Sequence, residues 1–248
     1  MLKLAETERG FEYLDDPALP PEIAARSLKD IALANSLFGG TRAILTEARA
    51  TFRQQRTSGV RTLTLLDVGT GQGDIPVALT NEATRCGIQL RAIGLEITAA
   101  MAAMAQQNHV ATVAGDACAL PFQSRSIDVI TCSLVLHHLG ETDAVRLLRE
   151  CTRVAKTRVI VADLRRSWLA VILLWLVSFP LRFHPVSRHD GVVSIRRGFT
   201  VQELRTLIKD ACDANARCLK HLGWRVTASW NPGNTFGQRS SNSNLTAL

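Results

Sequence analysis

The six cysteines, at positions 86, 118, 132, 151, 212 and 218, include no C-x-x-C pair. That absence removes the redox dithiol motif and the paired spacing of a structural zinc site. Most of them sit among apolar residues, as the reduced, buried cysteines of a cytoplasmic protein do. Lys and Arg outnumber Asp and Glu by 29 to 22, a net charge of +7. Yet no basic patch interleaved with aromatics occurs, so the excess reads as a cationic surface and no nucleic-acid partner is expected. No stretch is apolar for long enough to cross a bilayer. The most apolar one, Ser167–Leu181, would reach about 22 Å as a helix, against a hydrocarbon core of about 30 Å. The opening Met-Leu-Lys-Leu-Ala-Glu carries an acid early and does not read as a signal peptide. No internal repeat is visible. With 248 residues and 46% hydrophobic content, one principal domain with a full core is expected.

What is present is a rhythm. From residue 62 onward, β-favouring runs alternate with helical patterns, the signature of a parallel sheet covered on both faces. Strands are expected at Thr62–Val68, Leu90–Glu96, Ala111–Ala114, Ile127–Ser133 and Arg158–Asp163, with two closing strands at Arg217–His221 and Trp224–Trp230. Helices between them run from Asp74 to Cys86, from a Thr98 cap to about Asn108, and from Thr142 to Lys156. Thr200 and Glu203 form a capping box, with Phe199 and Leu204 as its hydrophobic staple, and fix the start of a further helix. Ahead of the sheet, residues 1–19 are polar and irregular. Pro20-Pro21 opens a helix to about Phe38, and Thr41 is placed to cap a second. The expected organisation is therefore an N-terminal helical lid over residues 1–59, an α/β domain over 60–230 and a flexible tail over 231–248. The helix pair suits a lid and plain packing equally. Between residues 164 and 198 the rhythm breaks into the apolar Ser167–Leu181 and a polar loop, Phe183–Gly191. The apolar segment fits a buried helix, a wall of an acceptor pocket or an interfacial anchor at a membrane.

The chain centres on Leu63–Asp74, Leu-Thr-Leu-Leu-Asp-Val-Gly-Thr-Gly-Gln-Gly-Asp. Glycine here lets a ligand approach the backbone, and the following helix presents unpaired N–H groups. A dinucleotide fingerprint needs G-x-G-x-x-G. Counted from Gly69 the third position is Asp74, and from Gly71 it is Pro76, so a nicotinamide oxidoreductase is disfavoured.

Asp67-x-Gly69-x-Gly71-x-Gly73 instead resembles the first motif of Rossmann-like S-adenosylmethionine-dependent methyltransferases. Gly94-Leu-Glu96, Gly115–Phe122 and Ser126–Ser133 with His137-His138 resemble the motifs that follow, so the likeness spans about residues 60–163. It implies a doubly wound, mostly parallel seven-stranded sheet and S-adenosyl-L-methionine as cofactor. By that resemblance, Asp67 and the Gly69, Thr70, Gly71 and Gly73 loop would hold the methionine end. Glu96, with Ile97 beside it, would take the ribose, Asp116 and Ala117 the adenine, and Ser133 the methionine amino group through its backbone. No metal is implied.

Methyl transfer from a sulfonium is an in-line displacement, so alignment and exclusion of water dominate, and alignment alone is worth about 7–11 kcal/mol. A hydroxyl acceptor gains further from a positioned base, typically ~10²–10⁴-fold. His137 and His138, just past the fourth strand, are candidates, and His189 beside Asp190 is a rival on triad logic. The Asn/Asp-Pro-Pro-aromatic turn of amino-group methyltransferases is replaced here by Ser133-Leu-Val-Leu-His-His-Leu139. The glutamate pair of the protein-arginine type is reduced to Glu141. The expected acceptor is a hydrophobic small molecule, phenolic, polyketide-like or quinone-like, methylated on oxygen. The alternatives are C-methylation of such a ring, or a non-catalytic membrane-surface or nucleic-acid-binding protein on the same fold.

Overall fold

The computed structural model describes residues 10–234 apart from Pro17 and Thr98. Two helices come first, α1 (Pro21–Leu37) and α2 (Gly40–Thr57). The alternation then runs β1 (Thr62–Val68), α3 (Asp74–Arg85), β2 (Gln89–Glu96), α4 (Ala99–Gln106), β3 (Ala111–Ala114), β4 (Ile127–Ser133), α5 (Glu141–Val154) and β5 (Ala155–Leu164). The inserted helices α6 (Trp168–Ser178) and α7 (Pro185–Arg197) precede α8 (Val201–Cys212), β6 (Arg217–His221) and β7 (Arg225–Trp230).

The strands form one seven-stranded sheet in the order β3-β2-β1-β4-β5-β7-β6, parallel except for β7, which runs against both neighbours. This is the expected doubly wound α/β architecture. Its strands are apolar on both faces, because helices cover both. Leu65 and Leu66, adjacent in β1 and fully buried, belong to opposite layers. Leu65 packs with Ile44 and Phe52 of α2 and Leu79 of α3, while Leu66 packs with Leu147 and Leu148 of α5 and Ile208 of α8. Each such side chain contributes roughly 1.5–3 kcal/mol of hydrophobic stabilisation.

The strand order reverses between β1 and β4, so a cleft opens at their carboxyl ends. Over it lie α1, through a contact of the Gln72 amide with the Ala25 carbonyl, and residues 10–16, a strap with a 3₁₀ turn at Tyr13–Asp15. The second helix, by contrast, supplies one of the two core layers.

Several local expectations change. The second helix starts at Gly40 after a left-handed Gly39, so Thr41 is inside it and does not cap it. Residues 155 and 156 belong to β5, which starts where α5 ends. The polar loop Phe183–Gly191 is largely helix α7, with the His184 ring accepting from the Val186 N–H and Pro185 at the first helical position. The Thr98 cap and most of the 231–248 tail lie outside the described residues. The Thr200–Glu203 capping box forms in full.

Candidate active site

The glycine loop is held by β2. The N–H groups of Gly69 and Thr70 both donate to the Leu95 carbonyl, at 2.9 and 3.2 Å, and the Gly71 N–H donates to Glu96 Oε1. Gly69 has φ +70°, and a Cβ there would stand 2.4 Å from Val135 Cγ2, so the strand end and the turn after β4 touch through it. At Gly71, with φ +57°, a Cβ would meet nothing within 4 Å. Here the backbone is bare and faces open space. Gly73 caps α3, whose first turn carries Asp74.

Two carboxylates mark the ends of β1 and β2. Glu96 is buried, and burial raises its pKa despite the Gly71 N–H. Asp67 is 1% exposed, pushed up to about 7 by burial even though the Thr131 hydroxyl donates to it at 2.6 Å. Asp67 thus lies beneath the loop, bonded across to β4, while Ile97 beside Glu96 is 71% exposed. Past β3, Asp116 makes a tight turn, accepting from the Cys118 N–H at 2.8 Å, with Ala117 half-buried inside it. Ser133 ends β4. The next residue, Leu134, adopts φ +57° and donates to the Ala162 carbonyl, which turns the chain sharply into the 3₁₀ turn Leu136–His138.

That turn brings both histidines to the sheet edge. His137 is 3% exposed, with Nδ1 2.6 Å from Asp163 Oδ1 at the end of β5. Asp163 also accepts the backbone N–H groups of Leu164 at 2.7 Å and His137 at 3.3 Å. Burial would raise its pKa, but the adjoining His137 ring and these donors outweigh it and leave the carboxyl below its ordinary range. Asp163 is therefore an anion at neutral pH. Facing an anion, His137 Nδ1 is the donor of the pair, and Nε2 is the ring nitrogen left outside it. Arg225 of β7, wholly buried and lowered to about 10 by desolvation, adds its charge to the field at Asp163.

His138 stacks on His137 with centroids 4.2 Å apart and a tilt of 36°. Its Nδ1 faces Asp15 at 3.0 Å and Glu12 at 3.4 Å. Burial would lower its pKa, but these acids prevail and raise it. Glu12 is itself buried and paired with Arg197 of α7 at 2.9 Å, and Arg197 also donates to the Gly10 carbonyl at 2.6 Å. Potential ligand atoms of Glu12, His137 and His138 lie within 4.8 Å of one another, and Arg197 already supplies a cation there. His189 stands apart on α7. Its side chain is 47% exposed, 3.0 Å from Asp190 and edge-on to Tyr13. Asp190 accepts the Tyr13 and Leu14 N–H groups at 3.0 and 2.9 Å, so this pair fastens the strap to α7.

Sequence reading found the loop, the strand-end acids and the histidine pair, but not Asp163, Glu12, Asp15, Arg197 or Arg225. An acid closing the apolar run Val159–Ala162 was a usable signal for Asp163. The strap acids lie in a segment without periodicity and offered none.

Residues 66–162 match the methyltransferase-domain family. Among solved structures, a SAM-dependent methyltransferase from Aquifex aeolicus is similar over 84% of this chain and 97% of its own, with TM-score 0.58 and 17% identity. The magnesium protoporphyrin IX methyltransferase of Synechocystis, solved with bound S-adenosylmethionine, covers 88% of both chains with TM-score 0.53 and 13% identity. The pyocyanin biosynthetic protein PhzM matches 73% of this chain and 53% of its own, with TM-score 0.51 and 20% identity. At these identities the structural likeness is one of fold. The bare Gly71 backbone, the strand-end Glu96 and the uncovered Ile97 suit the cofactor of this class: open space over peptide, a carboxylate for hydroxyls, an apolar surface for a flat ring.

Proposed function

The chain carries a methyltransferase domain of the S-adenosylmethionine-dependent, Rossmann-like class, and on that premise we propose that it methylates a hydroxyl of a hydrophobic small molecule. The acceptor class is phenolic, polyketide-like or quinone-like. The observation that carries this reading is His137, buried after β4 and held through Nδ1 by an ionised Asp163. Held at the Gly69–Gly73 loop, the cofactor would supply an activated methyl group. Gly71 and Glu96 would hold it together with Ile97, Asp116, Ala117 and the Ser133 backbone, and Asp67 would support the loop from beneath. The protein's own residues then align the acceptor, exclude water through the strap, and remove the hydroxyl proton onto His137. A base so placed contributes ~10²–10⁴-fold, and Asp163 keeps its tautomer and orientation. His138 serves the strap, and His189 the seam between strap and α7.

A panel of apolar phenols and quinols, incubated with methyl-labelled cofactor and read by mass fragmentation, tests this. A labelled O-methyl product is expected. His137→Gln should lose at least ~10²-fold in turnover while calorimetry still shows cofactor binding. A His137 variant of undiminished turnover would refute the base, and a label on ring carbon would shift the reading to C-methylation.

A further inference from the structure

Helix α6 presents a face that none of the described residues covers. Trp168, Leu169, Ile172, Trp175, Leu176 and, just past its end, Phe179 recur at helical spacing and are 74, 61, 56, 54, 55 and 49% exposed. The opposite side is occupied. Ala170 is buried, and Leu174 fits so closely against Gly191 of α7 that a Cβ there would stand 2.7 Å from Leu174 Cδ2. The apolar face is therefore held outward by its packing and is not a core surface left loose. Contiguous exposed apolar surface of this kind marks an interaction site.

Charge says what the site receives. Residues 164–198 contain six arginines and one acid, and that acid, Asp190, is buried and bound to the strap. Two of the arginines lie against the exposed rings themselves. The Arg188 guanidinium sits 4.5 Å over Phe179 at one end of the face, and Arg196 sits 6.0 Å from Trp168 at the other. Among the described residues, Arg182, Arg188 and Arg196 make no ion pair with an acid. Apolar side chains and unneutralised cations thus form one continuous surface. A second protein copy bearing the same surface would bring arginines against arginines. An anionic bilayer surface meets both halves, with acyl chains for the rings and headgroup phosphates for the guanidinium groups. Tryptophan is also the side chain favoured at that boundary. The helix is eleven residues long, and no helix of the described residues is long and apolar enough to cross a membrane. It would lie in the interface.

We infer that α6, flanked by Arg182, Arg188 and Arg196, docks the protein peripherally on anionic lipid membranes. The face begins five residues beyond Asp163, at the same carboxyl end of the strands as the histidine pair. An apolar acceptor dissolved in the bilayer would then lie beside the site.

Sedimentation of the full chain with vesicles of phosphatidylcholine containing phosphatidylglycerol, against phosphatidylcholine alone, tests the inference. Binding to the anionic vesicles is expected, with a blue shift of tryptophan emission and loss at high salt. Each arginine near an anionic leaflet is worth roughly fivefold in affinity, so replacing Arg188 and Arg196 with Gln should weaken binding by more than ~10-fold. Trp175→Glu should abolish it while cofactor affinity, which reports folding, is unchanged. Absence of binding to anionic vesicles overturns the inference. So does a wild-type dimer in ultracentrifugation that Trp175→Glu converts to monomer, since the face would then belong to a second copy.

Discussion

At the scale of single residues, two of the buried acids at strand ends, Asp67 and Asp163, behave oppositely. Asp67 has a pKa raised to about 7, so the folded state holds a proton that the unfolded chain gives up near 4. Stability is lost as pH climbs through that window, because the folded state binds more protons there. Asp67→Asn is expected to raise the melting temperature at pH 7.5 by a few degrees, roughly 2–4 °C for each kcal/mol in a chain of this size, and to flatten the profile between pH 4 and 7. Its cofactor affinity should fall, which calorimetry would register. Asp163 is depressed instead, and its contribution is present above the unfolded value and lost as pH falls through the folded one. Asp163→Asn leaves the shape but removes the anion that fixes the His137 tautomer. Turnover should drop at least ~10²-fold with cofactor binding retained, and a variant as active as wild type would show the pair to be structural only.

At the scale of elements, the glycine loop separates conformation from space. Gly69 and Gly71 share a left-handed backbone, so alanine at either costs about 1–2 kcal/mol. Only at Gly69 does the new Cβ strike a neighbour, Val135. Gly69→Ala should therefore melt distinctly lower than Gly71→Ala in calorimetric scans, while on the proposed binding mode both lose cofactor affinity, the second because its methyl would enter the open space over the loop. The loop, the seven strands and the Thr200 cap were legible in the sequence because each has a local cause: apolar runs, glycine spacing, a side chain three residues from its partner. Helix α7 was not. Ser187-Arg-His-Asp-Gly191 shows no apolar period, and His184-Pro185 reads as a turn; packing of Gly191 against Leu174 makes the segment helical. The histidine pair could be placed from sequence, but its partners could not: His137 meets Asp163, twenty-six positions away, and His138 meets Asp15, 123 positions away.

At the scale of the molecule, the strap ties the histidine pair to α7. Its latch on His138 is an ion pair whose histidine pKa is raised in the fold. The latch is fully engaged below the unfolded value of about 6.5 and weakens as pH rises through the higher folded value. Amide exchange over residues 10–16 should accelerate across that range, and Asp190→Ala should accelerate it at every pH by freeing the Tyr13 and Leu14 N–H groups. A strap whose exchange ignores both changes would be held by something else. The same fastening has a consequence for how the protein is made. Tyr13 waits for Asp190 across 177 positions, and Glu12 for Arg197 across 185. During synthesis the strap leaves the ribosome well ahead of its anchors and finds them only after the whole α/β sheet up to β5 has followed. The strap is thus translated long before it can dock, and a nascent chain cannot fasten it over the cleft until α7 has emerged.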